Sequence, residues 1–128
     1  MVLNEKKTKN MVFNFSKTKQ FKIDVKLKNE SLEVVEETKL LGVQITSDLR
    51  WNRNTEILVK DANRRMRVLH NAAKFTDNVQ DLLVIYKTFI RSKLEQSAVV
   101  WHSSLSKDNV ADLERVQKSA SYSQRKVL

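Results

Sequence analysis

Cysteine and proline are missing altogether, and glycine occurs once in 128 residues. Without cysteine there are no disulfides, thiolate zinc sites or thiol nucleophiles, a composition suited to a reducing compartment. Without proline there is no Pro-rich linker, and a single glycine cannot build a phosphate-cradling loop. No apolar run approaches the roughly 18 residues of a membrane-spanning helix, and the charged amino-terminus is not a signal peptide. A soluble, intracellular protein with no membrane partner is expected.

What is present supports a folded chain. Hydrophobic residues make up 41% and charged residues 30%, too apolar for a disordered segment. A chain of this size can bury about two-thirds of the surface exposed when unfolded. The net charge is +9, which favours an acidic partner, nucleic acid before anionic membrane. Residues 1–30 and 50–75 each carry +5, residues 31–49 carry −3, residues 76–106 are neutral and the remainder adds +2. Two basic patches therefore flank an acidic divider. Solvated surface lysine is the plain alternative reading.

Hydrophobic periodicity divides the chain in two. Phe21, Ile23, Val25 and Leu27 alternate with Lys22, Asp24, Lys26 and Lys28, the pattern of a half-buried strand. Met11 to Phe15, Leu32 to Val35 and Leu40 to Ile45 offer three more strands, with a turn at Asn29-Glu30. From about Thr55 the period becomes 3.6: Val59, Ala62, Met66, Leu69 and Ala73 form one stripe. Lys60, Arg64, Arg67 and Lys74 follow one position later, making a cationic ridge about 100° around the helix. Such a ridge suits phosphates, or equally the solvated rim of an ordinary amphipathic helix. A second helix opens at Asp77, with Gln80 completing a capping box, and carries Val79, Leu82, Tyr86, Phe89, Ile90, Leu94, Ala98 and Trp101. A third opens at Ser106 or Asp108 and buries Val110, Leu113, Val116 and Ala120, with Arg115 and Lys118 outward. The expected fold is α+β: a small antiparallel sheet of about four strands over residues 1–50, then a bundle of three helices over 51–128.

Catalytic groups are sparse. The seven aspartates are scattered, mostly at expected turns and helix starts, and Glu36-Glu37 would point to opposite faces of a strand. His70 and His102 lack metal-ligand spacing, and the serines of Ser103-Ser104 and Ser119 to Ser123 lie in no nucleophile elbow. No metal site or catalytic residue is expected, so the chain is not an enzyme on its own.

Certain short words stand in a recognisable order. These are Asn4-Glu5-Lys6-Lys7-Thr8-Lys9, then Met11-Val12-Phe13, Leu41-Gly42-Val43, Trp51, Leu94-Glu95 and Val100-Trp101. A lone glycine in a β-prone segment marks a bulge or a close backbone approach. The order resembles the carboxy-terminal part of the reverse transcriptase of non-LTR, LINE-like retrotransposons, from about Leu3 to Ala120. The resemblance implies a palm-tail β region over 1–50 and a thumb-like helical region over 51–128. It matches Leu41, Gly42 and Val43 to the primer-grip hairpin that steers a primer's 3′ end. It makes Lys7, with Lys6 beside it, a candidate general acid toward departing pyrophosphate in the intact polymerase. It gives Lys60, Arg64, Arg67 and Lys74 the phosphates of a template–primer duplex.

The Asp-Asp box is absent, so the two divalent metal ions of such a polymerase would be bound elsewhere, in a missing upstream region. Leu40, Asn54 and Gln96 stand where the family often has an aromatic, a His and a Tyr. After Ala120 the usual Arg-rich continuation gives way to Ser121-Tyr122-Ser123-Gln124-Arg125-Lys126, as expected of a shifted frame or a truncation. The chain thus reads as a fragment or remnant holding nucleic acid. The alternative is a stand-alone basic binding module. The stretch Trp51 to Trp101 also resembles a helical region at the amino-terminus of AlkB-type dioxygenase–methyltransferases, but the His-x-Asp iron ligands and the Gly-rich cofactor loop are absent.

Overall fold

A computed structural model describes residues 3–4, 6–19 and 22–125, with 123–125 taken as backbone only. Phe21, Glu5 and Lys126, named above, lie outside the described residues. The architecture is mixed α+β, and the chain divides into two compact units, Met1–Arg50 and Trp51–Leu128.

Among the described residues of the first unit there is no single four-stranded antiparallel sheet; six short strands pair two by two. Strand β1 (Lys9–Asn10) runs parallel to β4 (Glu33–Val34), while β2 (Lys26–Leu27) pairs antiparallel with β3 (Glu30–Ser31), and β5 (Glu37–Leu40) with β6 (Val43–Thr46). The expected strand Met11 to Phe15 is irregular because polar side chains at its end, Asn14 and Ser16, capture the backbone. Asn14 Oδ1 accepts from the Ser16 N–H at 2.9 Å, and the Ser16 hydroxyl accepts from Lys19 N–H at 3.3 Å. The alternation at 23–27 also fails to bury a face, since Ile23 and Val25 stay exposed and Leu27 is half-buried. The first turn falls at Lys28-Asn29, one residue earlier than expected, because both take positive φ (49° and 69°) and leave Leu27 opposite Glu30.

In the second unit α1 (Asn52–Ala72) buries Leu58, Ala62, Met66 and Leu69. Val59 and Ala73 flank this stripe rather than centre it. The second helical stretch begins at α2 (Val79–Ile85), and its cap is Asn78, not Asp77: Asn78 Oδ1 accepts from Gln80 N–H at 3.0 Å. It continues through a π-helical segment (Tyr86–Arg91) into α3 (Ser92–Leu94). It does not reach Trp101 as one helix. Ser97 turns left-handed (φ 54°, ψ 28°), and a short α4 (Ala98–Trp101) follows, then a 3₁₀ turn (His102–Ser104). Trp101 is fully buried, and its indole N–H donates to the Gln96 carbonyl at 3.0 Å across that break.

The last helix, α5 (Lys107–Arg125), starts under Ser106, whose hydroxyl accepts from Asn109 N–H at 3.3 Å. It buries Val116 and Ala120, while Leu113 is half-buried and Val110 exposed. One apolar cluster joins α1, the second helical stretch and α5 through Ala62, Met66, Leu69, Leu82, Ile90, Leu94, Val116 and Ala120. At its edge the Asn109 amide donates to Asn52 Oδ1 at 2.7 Å, tying the start of α5 to the start of α1.

Candidate nucleic-acid interface

Helix α1 exposes a continuous cationic face. Burial of positions 58, 62, 66 and 69 fixes its rotation, and at 100° per residue Lys60, Arg64 and Arg67 then fall within about 60° of one another. All three are exposed, and none makes an ion pair among the described residues. Residues 62–76 contain no acid at all. Lys74 is exposed too, but it stands in the turn after the helix rather than on it, because α1 ends at Ala72. Lys60 and Arg67 are about 10 Å apart along the helical rise, some three phosphates of one duplex strand.

Arg65, next to Arg64, has the opposite role. It pairs with Asp61 at 3.3 Å, donates to the Phe89 carbonyl at 2.8 Å and lies 4.7 Å from the Phe89 ring centroid. It therefore braces α1 against the π-helical segment. In that wider turn N–H groups reach back five residues, as Ser92 N–H does to Lys87 O. Side-chain hydroxyls serve the carbonyls four back: Thr88 donates to Val84 O at 2.7 Å, and Ser92 to Thr88 O. Nothing in the local spacing marks Arg65, because the carbonyl and ring it braces belong to Phe89, 24 residues further along the chain.

Leu41, Gly42 and Val43 occupy a tight hairpin. Leu41 and Gly42 are its two central residues, both with positive φ (49° and 87°), and Leu40 pairs with Val43. Such a turn favours Asn-Gly, since a left-handed leucine strains its backbone. Here the leucine is also 88% exposed, which puts an apolar side chain at the tip, while Val43 is buried. The expected strand Leu40 to Ile45 is thus interrupted by the turn, and the glycine serves that turn rather than a bulge.

Lys7 lies in a turn that Asn4 organises. Asn4 Oδ1 accepts from Lys6 N–H at 3.1 Å, and the Asn4 carbonyl accepts from Thr8 N–H at 3.0 Å and the Thr8 hydroxyl at 2.7 Å. Lys6 and Lys7 are left exposed.

Elsewhere polar groups serve local order. The Thr46 hydroxyl donates to Asp48 Oδ1 at 2.6 Å and Arg50 N–H donates to the same oxygen at 3.1 Å, which holds the Asp48 carboxyl below its ordinary value. Burial raises the Tyr86 phenol above its ordinary value. A cavity of about 510 Å³ against Leu94, Trp101, Leu105 and Leu113 is also lined by Glu95 and Glu114, whose charge disfavours a polyanion. Among the described residues no three His, Asp or Glu side chains gather to hold a metal. No helix among them is long and apolar enough to cross a membrane. Comparison with protein-family models, curated proteins and solved structures found no match.

Proposed function

We propose that this chain holds nucleic acid through the exposed face of α1, as the primer-grip and thumb portion of a retroelement reverse transcriptase whose metal-binding carboxylates lie in another region. One observation carries the reading: Lys60, Arg64 and Arg67 share one exposed helix face, without an ion pair among the described residues and with no acid across 62–76. A row of unneutralised cations is what phosphate contacts require, and such contacts position a duplex without reading its sequence. The strained Leu41-Gly42 tip supports the primer-grip assignment, because an exposed apolar tip suits a sugar or base more than water. Phe13, Phe15, Val34 and Leu40 in the first unit are exposed as well, which supports a polypeptide partner such as the upstream polymerase region. That favours a fragment over a stand-alone basic module.

The test is fluorescence anisotropy with an RNA–DNA hybrid across a salt series. The triple variant Lys60→Glu, Arg64→Glu, Arg67→Glu should bind far more weakly. The slope of log affinity against log salt, near −0.9 per phosphate neutralised on a duplex, should flatten by about three units. Unchanged binding by the variant would remove the ridge as the interface.

A further inference from the structure

The cavity against Trp101 carries a charge opposite to that of the chain as a whole. Its floor is apolar: Leu94 and Trp101 are buried, and Leu105 and Leu113 are half-buried. Trp101 has already used its one donor, because the indole N–H goes to the Gln96 carbonyl across the break at Ser97, so its ring presents apolar surface only. Helix α5 forms one wall. At 100° per residue Val110, Leu113, Glu114 and Gln117 cover a sector of about 100°, turned roughly 90° from the one that buries Val116 and Ala120. The helix therefore serves the core with one face and lines the cavity with the next. From Val110 to Gln117 this wall runs about 10 Å, two turns of a helix. Its rim is open to solvent, since Glu95, Glu114 and Gln117 are exposed.

In a chain of net charge +9, no Lys or Arg lines this cleft among the described residues, while Glu95 stands on one wall and Glu114 on the other. Each carboxylate meets a cation of its own helical stretch, Arg91 to Glu95 at 2.7 Å and Lys118 to Glu114 at 3.8 Å, and both pairs are solvent-exposed. Exposed pairs contribute little. A carboxylate has about four acceptor sites, so both keep capacity for a further cation. We propose that the cleft receives a cationic amphipathic helix from another polypeptide, its apolar stripe on the Trp101 floor and a lysine or arginine on each side of that stripe. Side chains at i, i+3 or i+4 and i+7 suit a trough two turns long, and cations flanking the stripe complement acids on opposite walls. The same acids repel nucleic acid and anionic lipid. The cleft shares no residue with the α1 face, so each reading can fail without the other.

Anisotropy of a labelled helical peptide of about 14 residues with the full-length chain tests it, the peptide carrying leucines at i, i+3, i+4 and i+7 with lysines on both sides. Two control peptides replace the leucines by serine or the lysines by glutamate. The basic, leucine-bearing peptide should bind at least about tenfold more tightly than either control. On the protein, Glu95→Gln combined with Glu114→Gln should weaken it about fivefold or more, and Val110→Lys, which puts a cation on the α5 wall, about tenfold or more. All three positions are exposed, so these variants keep the fold and should bind the RNA–DNA hybrid within about twofold of the natural chain. The α1 triple variant should not weaken peptide binding. No binding of the basic peptide, equal binding of the serine control, or indifference to these substitutions refutes the docking site and leaves the phosphate reading untouched. Sedimentation at rising protein concentration checks the other occupant: self-association abolished by Val110→Lys would put a second copy in the cleft and overturn the proposal.

Discussion

Adjacent arginines on one helix do different things, and only the helix rotation tells them apart. Arg64 is exposed, whereas Arg65 combines a carboxylate, a carbonyl and an aromatic face. Arg65→Ala should therefore cost about 1–3 kcal/mol in chemical denaturation, and Arg64→Ala no more than about 0.5 kcal/mol. Nucleic-acid binding should respond the other way round, falling with Arg64 more than with Arg65. Equal stability losses would mean that the brace on Phe89 carries nothing. Lys60, Arg64 and Arg67 were legible in the sequence as an exposed row because helical spacing alone groups them. Arg65 was not, since its partner carbonyl comes from a residue 24 positions away. Asp48 offers a pH test at the same scale. Its folded value is depressed, so the stability it contributes is present above the ordinary carboxylate value of 3.8 and is lost as pH falls through the lower, folded one. The melting-temperature gap between the natural chain and Asp48→Asn should be open at neutral pH and close in acid; a constant gap would refute it.

At the scale of elements, α1 and the starts of α2 and α5 follow from sequence to within a few residues, whereas the strands and the break of the second helix at Ser97 do not. The stripe in α1 is long enough for its period to dominate, so the helix and its buried face are foreseen to within one position, Leu58 replacing Val59 at the centre. Two-residue strands offer no period to read, and the Asn14 and Ser16 side chains break the strand expected at Met11 to Phe15. The stop at Ser97 was equally hidden, because nothing in a serine announces a left-handed backbone where glycine would. The β5–β6 hairpin is where strain and proposed role meet. Leu41→Asn puts a residue tolerant of positive φ at the strained position and should stabilise the first unit by about 1 kcal/mol. It should also weaken any contribution of the tip to holding a primer end. A thermal melt showing no gain would mean that the leucine already sits without strain.

At the scale of the whole molecule, apolar burial is unequal between the two units. The cluster of eight buried residues lies entirely within 51–128, whereas Val43 is the one hydrophobic residue of the first unit counted among the buried core of the described residues. Short paired strands without a shared apolar face are marginal in water, so hydrophobic stabilisation of the first unit by its own side chains is small. The helical unit has the opposite balance, with its apolar cluster, the Asn52–Asn109 tie and the Arg65 brace all internal. A chain of residues 51–128 should then unfold cooperatively with a single transition by circular dichroism and retain the ridge's affinity for an RNA–DNA hybrid. Residues 1–50 alone should show weak amide dispersion by NMR and sharpen only when a polypeptide partner covers Phe13, Phe15 and Val34. A well-dispersed spectrum from 1–50 in isolation would mean that this unit is complete in itself, and would count against an upstream polymerase region as the surface it was built to meet.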